Sequence, residues 1–266
     1  MNEKVVVITG AAGGIGSATA RRFSDAGARL VLSDVDIDRL EGLTAQLSPE
    51  PLRVKCDVAK LDDIKHLLAE TLSRMGRIDI LINNAGIIRP NKLEDLSYPD
   101  ISAQIDVNLL SVIFASKEVL PIMKAQGGGH IVNICSLGGI VPEPGSSVYS
   151  ATKFGVRGFS LTLAMEVKRY GINVSIVCPD SVDTPMLEYE AKCGVSGVAF
   201  ANKPLSPDDV ALAIMHAVKK KRLEVYVPYS EGLMAKIALT MPWIYRYVLP
   251  ILEKKGQKNL LKRGIK

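Results

Sequence analysis

Residues 5–23 read VVVITGAAGGIGSATARRF, and this stretch decides the fold. Five β-branched residues, nearly all apolar, read as a strand that is covered on both faces. A glycine-rich turn follows, and after it a segment with helical periodicity. Gly10, Gly14 and Gly16 let the backbone turn tightly and approach a ligand, while the helix start offers free N–H groups to a phosphate. The spacing is not the commoner GxGxxG, and a glycine turn alone also serves ordinary loops. Its place between first strand and first helix is what points to a dinucleotide.

Working outward, the same kind of apolar run recurs at 4–9, 29–34, 52–58, 79–84, 130–136, 173–179 and 223–228. Helical periodicity fills 15–26, 36–47, 61–76, 100–126, 149–170 and 207–220. Seven strands alternating with six helices imply right-handed crossovers, hence an α/β, doubly wound (Rossmann) seven-stranded parallel sheet with helices on both faces. Residues 1–230 are expected to form one dinucleotide-binding domain. Within it, 185–206 reads as a long irregular insert, rich in glycine and small residues, serving as substrate lid. Residues 231–266 read as a C-terminal extension, first apolar and then basic.

Asp34 closes the second strand about 20 residues beyond the turn. A carboxylate there accepts hydrogen bonds from both ribose hydroxyls of NAD and repels the 2′-phosphate of NADP. The alternative is a capping role for the helix that begins at Asp36. No Lys or Arg stands in the turn (Ala11, Ala12, Gly13), and Val35 follows Asp34, so NAD is favoured over NADP.

A second constellation lies at 148–159, VYSATKFGVRGF, where Tyr149 and Lys153 share a helix face. A phenol has a pKa near ~10, so it is a poor base at neutral pH unless a cation favours phenolate. Ser136, thirteen residues earlier, ends a strand and can donate to a developing oxyanion. Singly, each has a plainer reading: a solvated ion face, a turn former, and for Asn108 a mid-helix polar residue bonding locally.

Taken together, these pieces resemble the short-chain dehydrogenase/reductase family. They are T-G-A-A-G-G-I-G at 9–16, D-V at 57–58, N-N-A-G at 83–86, Asn108, Ser136 and Y-S-A-T-K at 149–153. The resemblance implies that Tyr149 is the general acid/base, that Lys153 lowers its pKa and holds the nicotinamide ribose, and that Ser136 binds the substrate oxygen. It implies that Asn108 holds a water relaying the proton. For the cofactor it implies Gly10, Gly14, Ile15 and Gly16 at the phosphates, Asp57 and Val58 beside adenine, and Asn84, Ala85 and Gly86 along the cleft. Pro179, Val182 and Thr184 would meet the nicotinamide end. Where the family has Pro-Gly, this chain has Pro179-Asp180. Asp enters the left-handed region more readily than most residues, so the turn is expected to survive.

The expected activity is NAD-dependent interconversion of a secondary alcohol and a ketone. Lid residues Met186, Leu187, Val195, Val198 and Phe200 lean toward an apolar, steroid- or lipid-like substrate. The rivals are a 3-oxoacyl thioester reductase and a silent cofactor-sensing regulatory protein, which has no need of the Ser136, Tyr149 and Lys153 set.

Net charge is +5, yet 254–266 alone carries six Lys or Arg and no acid. The rest of the chain is slightly acidic, which argues against a nucleic-acid partner. Cysteines 56, 135, 178 and 193 lack metal-ligand spacing, so no metal is expected. Without an export signal at the N-terminus, free thiols in the cytoplasm are expected. Residues 233–252, LMAKIALTMPWIYRYVLPIL, are too interrupted to span a bilayer. Peripheral membrane contact through 233–266 and packing over the cleft or in a homo-oligomer (dimer or tetramer) are both open.

Overall fold

The computed structural model describes residues 1–262. Of the six basic tail residues, Arg263 and Lys266 lie outside the described residues. Seven strands form one parallel sheet: β1 (Val5–Thr9), β2 (Arg29–Asp34), β3 (Leu52–Lys55), β4 (Ile80–Asn83), β5 (Gly129–Ile134), β6 (Ile172–Pro179) and β7 (Glu224–Val227), in the order β3-β2-β1-β4-β5-β6-β7. The order reverses between β1 and β4. A crevice opens there at the carboxyl ends of the strands, where doubly wound sheets bind ligands.

Alternation along β1 splits the core in two. Val6 and Ile8 pack with Phe23 of α1 (Gly14–Asp25) and with Val210 and Ile214 of α8 (Pro207–Lys220). Val5 and Val7 face the opposite layer, with Leu67 of α3 (Leu61–Met75), Val119 of α5 (Ser111–Ala125) and Leu163 of α6 (Ser147–Val167). Full burial of one such side chain contributes about 1.5–3 kcal/mol, so both faces are held by the residues that make the strands read as continuous apolar runs. Between β2 and β3 runs α2 (Ile37–Thr44).

Three elements differ from the sequence expectation. The helix expected over 100–126 is broken into α4 (Tyr98–Ile105), a π-helical turn (Asp106–Leu110) and α5. Asn108 lies in the π turn, a wide turn frequent at functional sites. The insert at 185–206 is not wholly irregular: Pro185–Cys193 forms α7, which Gly194 ends with φ 65°. Asp180 does not enter the left-handed region; its N–H continues the ladder to the Val227 carbonyl at 2.8 Å, so the chain needs no glycine there.

The C-terminal segment forms α9 (Tyr229–Thr240), a short 3-10 turn and α10 (Tyr245–Lys262). Among the described residues, no helix is long and apolar enough to cross a membrane. The inner side of α10 docks on the lid. Glu253 accepts hydrogen bonds from Gly197 N–H and Ser196 Oγ, both at 2.8 Å, and Asn259 Nδ2 donates to the Phe200 carbonyl at 2.9 Å. Gly256 lies so close to Gly197 that any side chain at either would collide with backbone.

Candidate active site

The nucleotide end of the crevice is made by the glycine turn and the ends of β2 and β4. Gly10 sits at φ 62°, and a Cβ there would fall 2.7 Å from Ala85 Cα, so only glycine satisfies both backbone and neighbour. A Cβ at Gly16 would fall 2.3 Å from the Gly10 carbonyl oxygen, which places Gly16 beneath the turn rather than in the cleft. Asn84 fastens β4 to the turn: its Nδ2 donates to the carbonyls of Thr9 at 3.0 Å and Gly10 at 2.9 Å. Gly10, Gly14, Ile15, Asp34, Asp57, Val58, Asn84, Ala85, Gly86 and Thr184 line one continuous cleft. A glycine floor, a helix N-terminus and an acceptor pair at the far edge fit a dinucleotide.

Asp34 holds that edge. Its carboxylate accepts from Ala12 N–H at 2.9 Å and from Asp36 N–H at 3.2 Å. The capping role belongs instead to Asp36, which accepts from Arg39 N–H at 3.1 Å. The expectation that no cation stands nearby is corrected by Arg39, one helical turn into α2. It lines the cleft with Asp34, and its Nη2 donates to the Ala12 carbonyl at 3.2 Å.

The reacting end lies at the carboxyl edges of β5 and β6, under the start of α6. Tyr149 and Lys153 stack one turn apart, with Lys153 Nζ 5.5 Å from the Tyr149 ring centroid. Lys153 Nζ donates to the Ile134 carbonyl at 3.0 Å, and burial lowers its pKa. Ser136 ends the strand segment, and its hydroxyl accepts from Gly138 N–H at 3.0 Å. Burial, reinforced by the charge of Glu143, raises the Tyr149 pKa; the Ser136 hydroxyl opposes this by favouring phenolate. The net direction is upward because burial and the neighbouring acids outweigh the Ser136 hydroxyl.

Asn108 reaches the site indirectly. Its Oδ1 accepts from Ile87 N–H and its Nδ2 donates to the Ile87 carbonyl, both at 2.8 Å. The amide is thus spent on fixing the segment after Gly86. The point where a Gly86 Cβ would lie is 3.3 Å from Asn108 Oδ1 and 3.8 Å from Lys153 Nζ, so the two residues flank the crevice wall.

Beyond Tyr149, a cavity is closed by the end of β6 and the 185–206 segment, through Pro179, Asp180, Val182, Thr184, Met186, Leu187 and Val198. Phe200 turns away, buried beside Leu187 and Leu260, while Val195 packs on Gly145. Two acidic lining residues escaped the sequence reading, Glu143 and Glu190. Burial first, then the nearby charges, raise Glu143 to about 7 and Glu190 to about 8. The signal for Glu190 was its i,i+3 spacing from Leu187 on a helix; reading the insert as irregular concealed that shared face. Glu143, in a proline-flanked loop, gave no signal.

A family model for short chain dehydrogenases matches residues 4–192. An uncharacterized oxidoreductase of Staphylococcus saprophyticus is 36% identical over 227 residues, covering 83% of this chain and 92% of that protein. A 3-oxoacyl-[acyl-carrier-protein] reductase of Thermotoga maritima is 39% identical over 191 residues, covering 71% of this chain and 78% of that one. Among solved structures, a short chain dehydrogenase/reductase of Burkholderia phymatum in complex with NAD superposes with TM-score 0.82 at 26% identity, covering 88% of this chain and 92% of that chain. The family model spans most of the chain and the Staphylococcus relative is matched over nearly its whole length, so the chain belongs to the short-chain dehydrogenase family.

Proposed function

We propose that this oxidoreductase interconverts a secondary alcohol and a ketone with NAD(H), using Tyr149 as acid and base. The observation that carries the reading is a convergence of groups at one point, the position a Cβ would take on Gly138. Ser136 Oγ is 3.4 Å from it and Tyr149 Cε1 3.6 Å. That point opens onto the crevice holding the glycine turn. Bound there, a nicotinamide supplies or accepts a hydride. The protein's part is to place and polarise the substrate. Ser136 donates to the substrate oxygen as negative charge grows on it, and Tyr149 gives that oxygen its proton in reduction or takes it in oxidation. Lys153 holds positive charge behind the phenol and keeps it oriented.

A raised tyrosine pKa has a definite sign for the reaction. The phenol is the acid form across neutral pH, so reduction runs well there, while oxidation requires phenolate and climbs as pH rises. The experiment is a screen of secondary alcohols, sterols and 3-hydroxyacyl thioesters for NAD reduction, with the matching ketones and NADH in reverse. Turnover of none of them would leave the silent regulatory reading. Thioester turnover alone would favour the 3-oxoacyl reductase reading, supported by the name of the Thermotoga relative.

We infer in addition that the outer side of the C-terminal helices meets an anionic lipid surface. Tyr229, Met234, Trp243, Tyr247 and Ile251 are exposed there, with Lys254 and Lys258 beyond them. Apolar side chains beside cations suit a lipid interface. A homo-oligomer contact through the same face is the competing use.

A further inference from the structure

The substrate cavity carries more negative charge than a ketone or an aliphatic alcohol needs. Glu143 Oε2 lies 2.8 Å from the point marked by the Gly138 Cβ position, the point that Ser136 Oγ and a Tyr149 ring carbon also approach. Glu190 reaches the same cavity from α7, and the two carboxyls are hydrogen-bonded to each other. Among the described residues, no N–H or O–H group of the protein other than that shared carboxyl proton reaches either one. Asp180 lines the cavity as well, one oxygen accepting from Ser181 N–H at 2.9 Å. The one cation in the lining, Lys153, is turned to the Ile134 carbonyl. Met186, Leu187 and Val198 add apolar lining to the same cavity.

Acceptors without donors, beside reacting groups, are completed by a ligand that brings donors. Hydroxyl groups would satisfy the acceptors but leave the negative charge of the cluster uncompensated. An ammonium does both, and it repels none of the groups present except Lys153 across the cavity. Anionic substrates meet three carboxyls at close range and are excluded.

We propose that Glu143 and Glu190 select substrates bearing a protonated amine next to the carbinol or keto carbon: β-amino alcohols and the corresponding α-amino ketones, with an apolar body against the lid. This rests on the alcohol–ketone reading above and names its substrate class. Tyr149, Lys153, Cys135 and Asp180 also face the pair. At neutral pH the pair retains a proton, which an incoming ammonium displaces.

The test compares 2-amino-1-phenylethanol with 1-phenylpropan-1-ol, in which a methyl group replaces the ammonium. With NAD and the full chain, kcat/KM is expected to favour the amine by about tenfold or more, the scale of a close charge contact in a desolvated site. In Glu143→Gln and in Glu190→Gln the ratio falls toward one. Equal or better use of the neutral alcohol by the wild-type chain overturns the proposal, as does an unchanged ratio in both variants. Calorimetric titration of the NADH-loaded chain with 2-amino-1-phenylethanol at neutral pH, in phosphate and in Tris, reads proton release independently of turnover. Binding with proton release, lost in the double variant, upholds the amine pocket even if neither alcohol is oxidised, in which case the dehydrogenase reading alone fails. No binding, or binding without proton release, overturns it. Melting curves of the variants confirm that each is folded.

Discussion

The two ends of the crevice are built in different ways. The nucleotide end is made of backbone: a turn whose glycines sit where a Cβ would strike Ala85 or the Gly10 carbonyl, tied by Asn84. The substrate end is made of side chains brought from separated segments, chiefly 134–143, 149–153, 179–190 and 198–199. A backbone site leaves its signature in consecutive residues, because glycine is the one residue with the needed freedom. A side-chain site has its chemistry distributed, and specificity emerges only after folding. Substitutions at the two ends should therefore fail in opposite ways.

The largest effects test that opposition directly. Tyr149→Phe should lower turnover by about 10²–10⁴-fold while NADH fluorescence titration shows nearly unchanged affinity, because the ring still packs and the ionisable oxygen is gone. Gly10→Ala should do the reverse. Its φ of 62° and the 2.7 Å approach to Ala85 Cα make the turn distort, so NADH binding is lost and the melting temperature drops. If Gly10→Ala binds NADH normally, or Tyr149→Phe keeps activity within a few-fold, the division between the ends is wrong.

Smaller effects, on the order of tenfold, are expected at the adenosine edge, where the two kinds of construction meet. Asp34→Ala should narrow the gap in kcat/KM between NAD and NADP, since the carboxylate that would repel a 2′-phosphate is gone. Arg39→Ala should widen it by removing the cation that shares the cleft with Asp34. A wild-type preference for NADP would show that Arg39, not Asp34, governs the edge.

The parallel sheet and the glycine-lined cleft were legible because each rests on local pattern: apolar runs, helical periodicity and one glycine turn. Tyr149 and Lys153 were legible because one helix face carries both. What the sequence hid was tertiary. Arg39 belongs to a helix that points it back at Ala12. The π turn at Asn108 is invisible in a periodicity that runs unbroken from 100 to 126, and it commits the amide to Ile87. Glu143 and Glu190 meet only when a proline-flanked loop and the lid helix close on one cavity.

That pair also gives a pH signature that the nucleotide end lacks. Both carboxyls are raised above the ordinary carboxylate value, to about 7 and about 8, so the folded chain holds their protons more tightly than the unfolded chain does. Their contribution to stability is complete below the ordinary carboxylate pKa and is lost as pH rises through 7 and 8. The melting temperature should decline by a few degrees on that rise, and Glu190→Gln should flatten the decline. An equal slope in the variant would mean that the two acids are solvated in the folded state.

The smallest effects belong to α10, whose two sides repeat the contrast on one helix. The inner side is closed around the lid: Gly256 against Gly197, Leu260 against Phe200, and Glu253 receiving Ser196 and Gly197. Burial alone would raise the Glu253 pKa, but hydrogen bonds from Gln257, Gly197, Ser196 and Val198 hold it below its ordinary value. The stabilisation it gives the lid is present above the ordinary carboxylate pKa and lost as pH falls through the lowered one. Glu253→Ala should therefore raise KM for the alcohol a few-fold, with kcat and NADH affinity nearly constant, because the lid is held less firmly over the substrate alone. The outer side should behave differently. Ile251 on the helix is 67% exposed, and Trp243, in the 3-10 turn just before it, is 60% exposed. Trp243→Ser with Ile251→Ser should leave KM unchanged yet reduce co-sedimentation with phosphatidylserine vesicles, a binding that high salt weakens by screening the lysines. If the double variant instead dissociates an oligomer in light scattering and vesicles never bind, the outer face is a protein contact. If it raises KM as Glu253→Ala does, the helix acts as one body and its two sides are not separable.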